Sequence, residues 1–115
     1  MSAGQYIKLK GAVGKNAPNH SEDVMTVQAR LNHWIYRGLL PNIDFLAVDG
    51  KCGEKTKRAI GAFQFLYLGR KNPDCRVDPG GPTLLKMYES LINPQLTLEE
   101  FIQFLKNMAE EKFPA

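Results

Sequence analysis

The chain has 115 residues, of which 43% are hydrophobic and 23% are charged, a composition typical of one globular domain rather than of a disordered or fibrous protein. Fifteen basic residues against twelve acidic ones leave a net charge of +3, and the basic residues are scattered, so we expect no nucleic-acid partner. A domain of this size buries enough surface to fold without a metal or a set of disulfides, so we expect no cofactor.

We also expect no membrane span and no export signal. No apolar run reaches the ~20 residues that a membrane span needs, and residues 1–6 lack the features of a signal peptide. We therefore expect a soluble chain with no membrane partner, made in the cytoplasm and delivered outside the general secretory route, or else a leaderless form of an exported protein. Cys52 and Cys75 lack zinc-type spacing, and free thiols are the default interpretation, with a disulfide as the alternative.

Residues 1–18 are predicted to form an N-terminal arm or a short edge strand. Polar and apolar side chains alternate over residues 6–10, and the glycine-containing stretch 11–18 is typical of a loop.

The first helix is predicted to begin within residues 19–22. Asn19 is suited to cap the first backbone amides, and Glu22, three residues later, would complete a capping box. Gly38 is the predicted stop. Apolar residues at helical spacing form one face of this helix: Val24, Val27, Leu31, Trp34 and Ile35.

A loop and a second helix follow. Residues 39–48 are interrupted by Pro41 but are too apolar for a solvated loop, so we expect the loop to fold back on the core through Leu40, Ile43, Phe45 and Leu46. The second helix is predicted over residues 54–68, ending at Gly69. Its buried face is formed by Thr56, Ile60, Phe63 and Tyr67.

Two further helices complete the predicted order. The third covers residues 81–91 and presents Leu84, Leu85, Met87, Tyr88 and Leu91. The fourth begins with a capping box formed by Thr97 and Glu100, and its apolar face predicts packing on the domain or on a partner protein. The resulting division is an arm at 1–18, a domain at 19–92 and a C-terminal helix at 93–115.

One internal repeat is visible. Val48-Asp49-Gly50 precedes Thr56, and Val77-Asp78-Pro79 precedes Thr83, so the same kind of tight turn is predicted to lead into the second and third helices.

Residues 49–64 read DGKCGEKTKRAIGAFQ, which resembles the signature of the peptidoglycan-binding domain family. Residues 24–31 are similar to the first-helix pattern of that family, and residues 77–84 resemble the segment that leads into its third helix. The resemblance spans about residues 19–91. It implies an all-α fold, a three-helix bundle here extended by an additional C-terminal helix, that binds the bacterial cell wall.

The candidate ligand-binding residues are Asp49, Lys51, Thr56, Arg70, Arg76 and Tyr36. Asp49 and Thr56 have a competing structural role, because they suit the turn and the start of a helix. Lys51, Arg58, Arg70 and Arg76 are suited to carboxylates of the peptidoglycan stem peptide, although a solvated surface explains each of them as well. Tyr36 lies off the main apolar face and is suited to stack on a sugar or a peptide.

Two glutamines and two aromatic residues have a scaffold interpretation. Gln28 and Gln64 lie beside apolar helix faces, where a buried amide would bond the backbone of neighbouring loops. Trp34 and Tyr67 lie on apolar faces and are predicted to belong to the core.

We expect no enzyme and no metal site, because the only histidines, His20 and His33, do not have a ligand spacing and no nucleophile is paired with a base. The function predicted is non-catalytic binding of peptidoglycan, through its glycan or its stem peptide, in the periplasm or cell wall of a bacterium, with delivery by a phage or a secretion system. The alternative is a protein-interaction module, such as a secretion-apparatus accessory, adaptor or immunity-like protein, that reuses the same fold.

Overall fold

The computed structural model describes residues 8–89 together with Gln103 and Lys106. Its elements are, in chain order, β1 (Val13–Gly14), α1 (Ser21–Tyr36), α2 (Glu54–Leu68), β2 (Arg76–Val77) and α3 (Pro82–Met87). Within this part of the chain the fold is all-α, as expected, and the two short strands pair antiparallel. The predicted fourth helix lies outside the described residues except at Gln103 and Lys106, which are helical and exposed.

The core forms where α1 crosses α2. All four residues of the predicted α2 face are buried, and on α1 only Ile35 is partly exposed. Trp34 meets Phe63 edge-on with ring centroids 4.9 Å apart, and the ring of Tyr67 lies 4.7 Å from that of Trp34. These aromatic contacts confirm the core positions of Trp34 and Tyr67 and provide much of the apolar area that joins the two helices.

Both predicted glycine stops are confirmed. Gly38 and Gly69 have left-handed backbone, with φ of 74° and 66°. After α1, the Gly38 amide donates to the Ile35 carbonyl and the Leu39 amide donates to the Trp34 carbonyl, which satisfies two carbonyls that the end of the helix leaves free.

The start of α1 differs from the prediction. The N-cap is His20, without a side-chain capping bond. Asn19 has left-handed backbone with φ of 52°, and its side-chain amide exchanges hydrogen bonds with the amide and carbonyl of Gly14. The capping box is therefore wrong at this helix, because the Asn19 side chain faces the preceding loop rather than the helix amides.

In the N-terminal segment the strand lies later than the alternation at residues 6–10 predicted, and residues 1–7 lie outside the described part of the chain. Lys8–Lys10 is not a strand, and β1 instead lies in the stretch predicted as loop. Leu9 is buried, and the backbone amides of Lys10 and Gly11 donate to the buried carboxylate of Asp23 on α1. A carboxylate from α1 therefore holds this segment against the helix.

The loop between α1 and α2 folds back on the core as predicted, with one exception. Leu40 and Leu46 are buried, and the Asn32 side chain bonds both the amide and the carbonyl of Leu46. The Tyr67 hydroxyl donates to the Leu39 carbonyl at 2.6 Å. Phe45 is 59% exposed, so its inclusion among the core-facing residues was wrong.

The third helix is shorter than predicted, since it ends at Met87. Leu85, predicted on its apolar face, is 49% exposed, and Leu91 lies outside the described residues. The Met87 carbonyl accepts hydrogen bonds from Trp34 Nε1 at 2.9 Å and from Arg30 Nε at 2.7 Å. The Arg30 guanidinium also lies 4.5 Å from the ring centroid of Tyr88. The end of α3 is thus fixed to α1. No helix among residues 8–89 is both long and apolar enough to cross a membrane.

Candidate functional site

The turn before α2 is organised by one buried amide, that of Gln28. Gln28 Nε2 donates to Asp49 Oδ1, the Lys51 carbonyl and Thr56 Oγ1 at 3.0–3.1 Å. Gln28 Oε1 accepts from the backbone amides of Asp49 and Gly50, both at 3.1 Å. We call Gln28, residues 49–51 and Thr56 the first glutamine turn. The scaffold role predicted for Gln28 is confirmed.

Asp49 and Gly50 give this turn its shape. Asp49 Oδ1 accepts from the Lys51 amide at 2.9 Å, and this bond, followed by the one from Gln28, holds the pKa of Asp49 below its usual value. Gly50 has φ of 77°, and a Cβ there would meet the Ser21 side chain. Turn geometry and space therefore both require glycine at this position.

A second turn repeats these contacts before α3. Gln64 Nε2 donates to Asp74 Oδ1 at 2.8 Å, the Arg76 carbonyl at 2.9 Å and Thr83 Oγ1 at 3.1 Å. Gln64 Oε1 accepts from the Cys75 amide at 3.0 Å, and Asp74 Oδ1 accepts from the Arg76 amide. We call Gln64, residues 74–76 and Thr83 the second glutamine turn. The internal repeat is therefore real, and the scaffold role of Gln64 is confirmed.

The pairing of residues read from the sequence was nevertheless wrong within the turn itself. It paired Asp49 with Asp78, but the residue that accepts from the glutamine and from the amide two positions later is Asp74. Gly50 then corresponds to Cys75, which has left-handed backbone with φ of 56° although it is not glycine. Asp78 instead pairs with Arg76, with Nε and Oδ1 2.9 Å apart. The error arose because Asp49 directly follows Val48, whereas Asp74 precedes Val77 by three positions.

The second turn is covered by the N-terminal segment. The Cys75 carbonyl accepts from the Lys15 amide at 3.1 Å, and Gly14 passes so close that a Cβ on it would collide with that carbonyl. Arg76 donates to the Asn16 carbonyl at 2.9 Å in addition to its pair with Asp78. Arg70 is paired with Asp74 at 3.5 Å. Both candidate arginines are thus bonded within the chain.

The first turn is open to solvent. Asp49 and Lys51 are exposed and border a depression of about 260 Å³, which we call the first-turn depression. Thr56 also contributes to its wall but is only 3% exposed, and its hydroxyl is bonded to Gln28. The full lining is Gln28, Leu46, Ala47, Asp49, Lys51, Gly53, Glu54, Lys55 and Thr56.

Three of the six predicted site residues are therefore brought together, namely Asp49, Lys51 and Thr56. Arg70 and Arg76 lie at the second turn. Tyr36, at the C-terminal end of α1, is 77% exposed, as expected for a surface residue, but it does not border the first-turn depression.

The family model described as "Putative peptidoglycan binding domain" matches residues 20–79, just over half of the chain. This chain belongs to the peptidoglycan-binding domain family. The matched range contains α1, α2 and the three residues of each turn, so the match covers the whole first glutamine turn. No curated protein and no solved structure gives a significant match.

In this peptidoglycan-binding domain a second, smaller depression adjoins α2. It has a volume of about 100 Å³ and is lined by Asn42, Ile43, Asp44, Leu46, Lys55 and Arg58. Arg58 was among the carboxylate partners predicted from sequence, whereas Lys55 was not. The signal that could have found the pair is their i,i+3 spacing, which places both cations on one side of α2, beside a loop predicted to fold back.

Side chains suited to metal binding are not clustered within residues 8–89. No cluster of three His, Cys, Asp or Glu side chains that could hold a metal occurs in this range. Cys52 and Cys75 are both free thiols. Burial raises the pKa of Cys52, and burial, reinforced by the Asp74 charge, raises the pKa of Cys75 to about 12. A thiol with so high a pKa is a poor nucleophile at neutral pH.

Proposed function

We propose that this protein binds peptidoglycan non-covalently and without catalysis, in the periplasm or cell wall, with the first glutamine turn at the centre of the binding surface. The observation that carries the proposal is the family match over residues 20–79, which contains the first glutamine turn. In that turn both the aspartate and the basic residue are exposed, whereas in the second turn Asp74 is paired with Arg70 and Arg76 is partly buried.

The first turn is suited to binding because its shape is fixed before a ligand arrives. Gln28 bonds five atoms of the turn and of Thr56, so the backbone that carries Asp49 and Lys51 loses little conformational entropy when a ligand binds. The depression beside them presents both an acidic and a basic side chain. Such a lining matches a polymer that carries hydroxyl, amide and carboxylate groups. Thr56 contributes by holding the turn.

The predicted residues outside the depression have secondary roles in this proposal. Tyr36 offers an exposed aromatic face that suits stacking on a sugar ring. Arg70 and Arg76 are bonded within the chain and would first have to exchange those partners for a carboxylate of the wall.

Cosedimentation of the pure protein with isolated sacculi tests the proposal. We expect saturable binding by the wild type and about a five- to tenfold weaker affinity for Lys51→Glu, because the variant places a negative charge beside Asp49. Lys106→Glu is the matched control, since Lys106 is also an exposed lysine but borders neither depression. Absence of wild-type binding by the folded protein would overturn the proposal and favour the protein-interaction alternative.

The non-catalytic part is tested separately by incubating the protein with sacculi and measuring soluble muropeptides. We expect none above the level of a protein-free control. Release that increases with protein concentration and persists in the presence of a chelator would contradict this part while leaving the binding proposal intact.

A further inference from the structure

The 100 Å³ depression beside α2, here called the α2 cleft, lies between the α1–α2 loop and the first turns of α2. Its α2 wall carries Lys55 and Arg58, and its loop wall carries Asn42, Ile43 and Asp44. Leu46 is buried beneath the loop and contributes apolar surface. The cleft therefore combines two cations, one anion, one amide and an aliphatic surface.

Arg58 differs from the other arginines of the two turns and of α1. Arg30 bonds the Met87 carbonyl, Arg70 pairs with Asp74, and Arg76 pairs with Asp78. The Arg58 Nε is buried and bonds no acceptor within the described part of the chain. Buried donors in folded proteins nearly always have a partner, so this nitrogen has unused bonding capacity, which an acceptor in the cleft would satisfy once the side chain turns toward it. Lys55 likewise forms no ion pair with any described residue.

This arrangement suits an anion with two oxygens. A guanidinium presents parallel N–H donors that match a carboxylate, and an ammonium one helical turn away adds a second positive charge. Asp44 reduces the formal charge of the cleft to +1, which disfavours dense polyanions and leaves enough attraction for one carboxylate. The volume corresponds to about three water molecules, which is enough for a carboxylate and a small aliphatic group.

We propose that the α2 cleft is a subsite for a single carboxylate of the peptide part of peptidoglycan, bound by Arg58 and Lys55 against Ile43 and Leu46. The subsite rests on the proposed function, and it borders the first-turn depression because Leu46 and Lys55 line both. A strand of cell wall held at the first turn would thus place an attached peptide next to Arg58.

Binding to two preparations of sacculi tests this assignment. In one preparation the carboxyl groups are left free, and in the other they are converted to amides. We expect about tenfold weaker wild-type binding to the amidated sacculi, because the neutral amide cannot form the charge-assisted bonds. On free sacculi we expect about a tenfold loss for Arg58→Gln, a three- to fivefold loss for Lys55→Gln and an intermediate loss for Arg58→Lys, which keeps the charge but not the fork. On amidated sacculi the variants should equal the wild type.

Controls separate the possible failures. Lys106→Gln changes the same charge outside the cleft and should bind as the wild type does. Asp44→Asn should bind free sacculi more tightly, because it removes a like charge from beside the carboxylate. If Arg58→Gln does not fold, Arg58→Lys decides, because Arg58 borders only the cleft whereas Lys55 borders both depressions.

Wild-type binding that is equal on both preparations, with unchanged affinities for Lys55→Gln and Arg58→Lys, would overturn the subsite but leave the proposed function standing. No wild-type binding to free sacculi would overturn the proposed function itself. Sacculi stripped of phosphate-containing polymers form a third arm. We expect unchanged binding there, and a loss of binding would assign the cleft to phosphate instead of carboxylate.

Discussion

In the first glutamine turn Gln28 holds a glycine, Gly50, in left-handed backbone, whereas in the second turn Gln64 holds Cys75 in the same conformation. The glutamine, aspartate and threonine contacts are otherwise alike. The surroundings differ: the first turn faces solvent, and the second lies under β1, with its Cys75 carbonyl bonded to the Lys15 amide. One arrangement of bonds therefore serves an open surface in one place and a buried junction in the other.

This difference indicates how a binding surface can arise from a structural repeat. Both turns start a helix and satisfy buried backbone groups, which is a requirement of folding. Only in the first turn are both the acidic and the basic side chain exposed, since Arg76 of the second turn is partly buried and Asp74 is paired with Arg70. In the second turn the corresponding arginine, Arg76, is bonded to Asn16 and Asp78. The N-terminal segment has thus covered the second turn and left the first as the candidate site.

Replacing the glutamine of each turn should have the largest effect on the free energy of unfolding. The two losses should differ because the second turn is more buried than the first. Gln64→Leu would leave buried groups of Cys75, Arg76 and Thr83 without their partner, and we expect the free energy of unfolding to fall by about 3–4 kcal/mol. Gln28→Leu should cost about 2–3 kcal/mol, because water can reach Asp49 and Lys51. Urea unfolding of both variants measures the values. An equal loss, or a larger one for Gln28→Leu, would contradict the idea that the second turn is the more buried.

Helix positions were predictable because strong local signals coincide with tertiary packing. The second helix was predicted at its observed bounds, since its apolar period and the glycine after it, Gly69, agree. The start of the first helix was not predicted correctly. The Asn19 side chain is suited both to cap the helix and to bond the preceding loop, and only the path of the chain at Gly14 decides between these two roles. Phe45 was misjudged for a related reason: an apolar side chain in a loop is not forced inward by any period.

Substitution of Gly50 should have the next largest effect on the free energy of unfolding. Gly50→Ala keeps the bonds of the first turn but forces an alanine into left-handed backbone next to Ser21, so we expect a loss of about 1–2 kcal/mol. Thermal unfolding measures it. The double variant Ser21→Ala/Gly50→Ala removes the hydroxyl that the new Cβ would meet and should recover only part of the loss. Full recovery would show that space, rather than backbone conformation, requires glycine here.

Only part of the candidate site could be predicted from sequence. Asp49 and Lys51 follow from the family signature, which marks the turn directly. The α2 cleft depends on how residues 42–46 lie across α2, and this path is set by the Asn32 bonds to Leu46 and by the Tyr67 bond to Leu39, both of which join distant parts of the chain. Spacing along the sequence does not reveal such contacts, so the juxtaposition of Lys55 with Arg58 and the loop required the structure.

The two cysteines extend the comparison. Cys52 directly follows the first turn, and Cys75 lies within the second. Cys75 is fully buried with its pKa raised to about 12, while Cys52 is only partly buried. At pH 8 we expect an alkylating reagent to modify one thiol of the native protein, Cys52, and to modify Cys75 only through unfolding. Mass spectrometry after a time course distinguishes the two sites. The unfolded, non-reduced protein should show two reactive thiols, whereas none would indicate a disulfide.

The smallest effect should come from the Asp49 carboxylate, which is exposed. The Lys51 amide and the Gln28 amide keep its pKa below the value of about 3.9 expected in the unfolded chain. A group whose pKa is lowered by folding stabilises the native state above its unfolded pKa, and this contribution is lost as the pH falls through the lower, folded pKa. Asp49→Asn keeps the acceptor oxygen but cannot ionise, so the wild type should be slightly more stable than the variant at pH 6, and this advantage should shrink below about pH 4.

Melting temperatures of both proteins between pH 6 and 2.5 measure this difference in stability, and the contributions of the other carboxyl groups cancel in it. A difference that stays constant over this range would mean that the two amides bond Asp49 equally well in its protonated form, and that the first turn owes its shape to Gln28 and Gly50 rather than to the charge of Asp49.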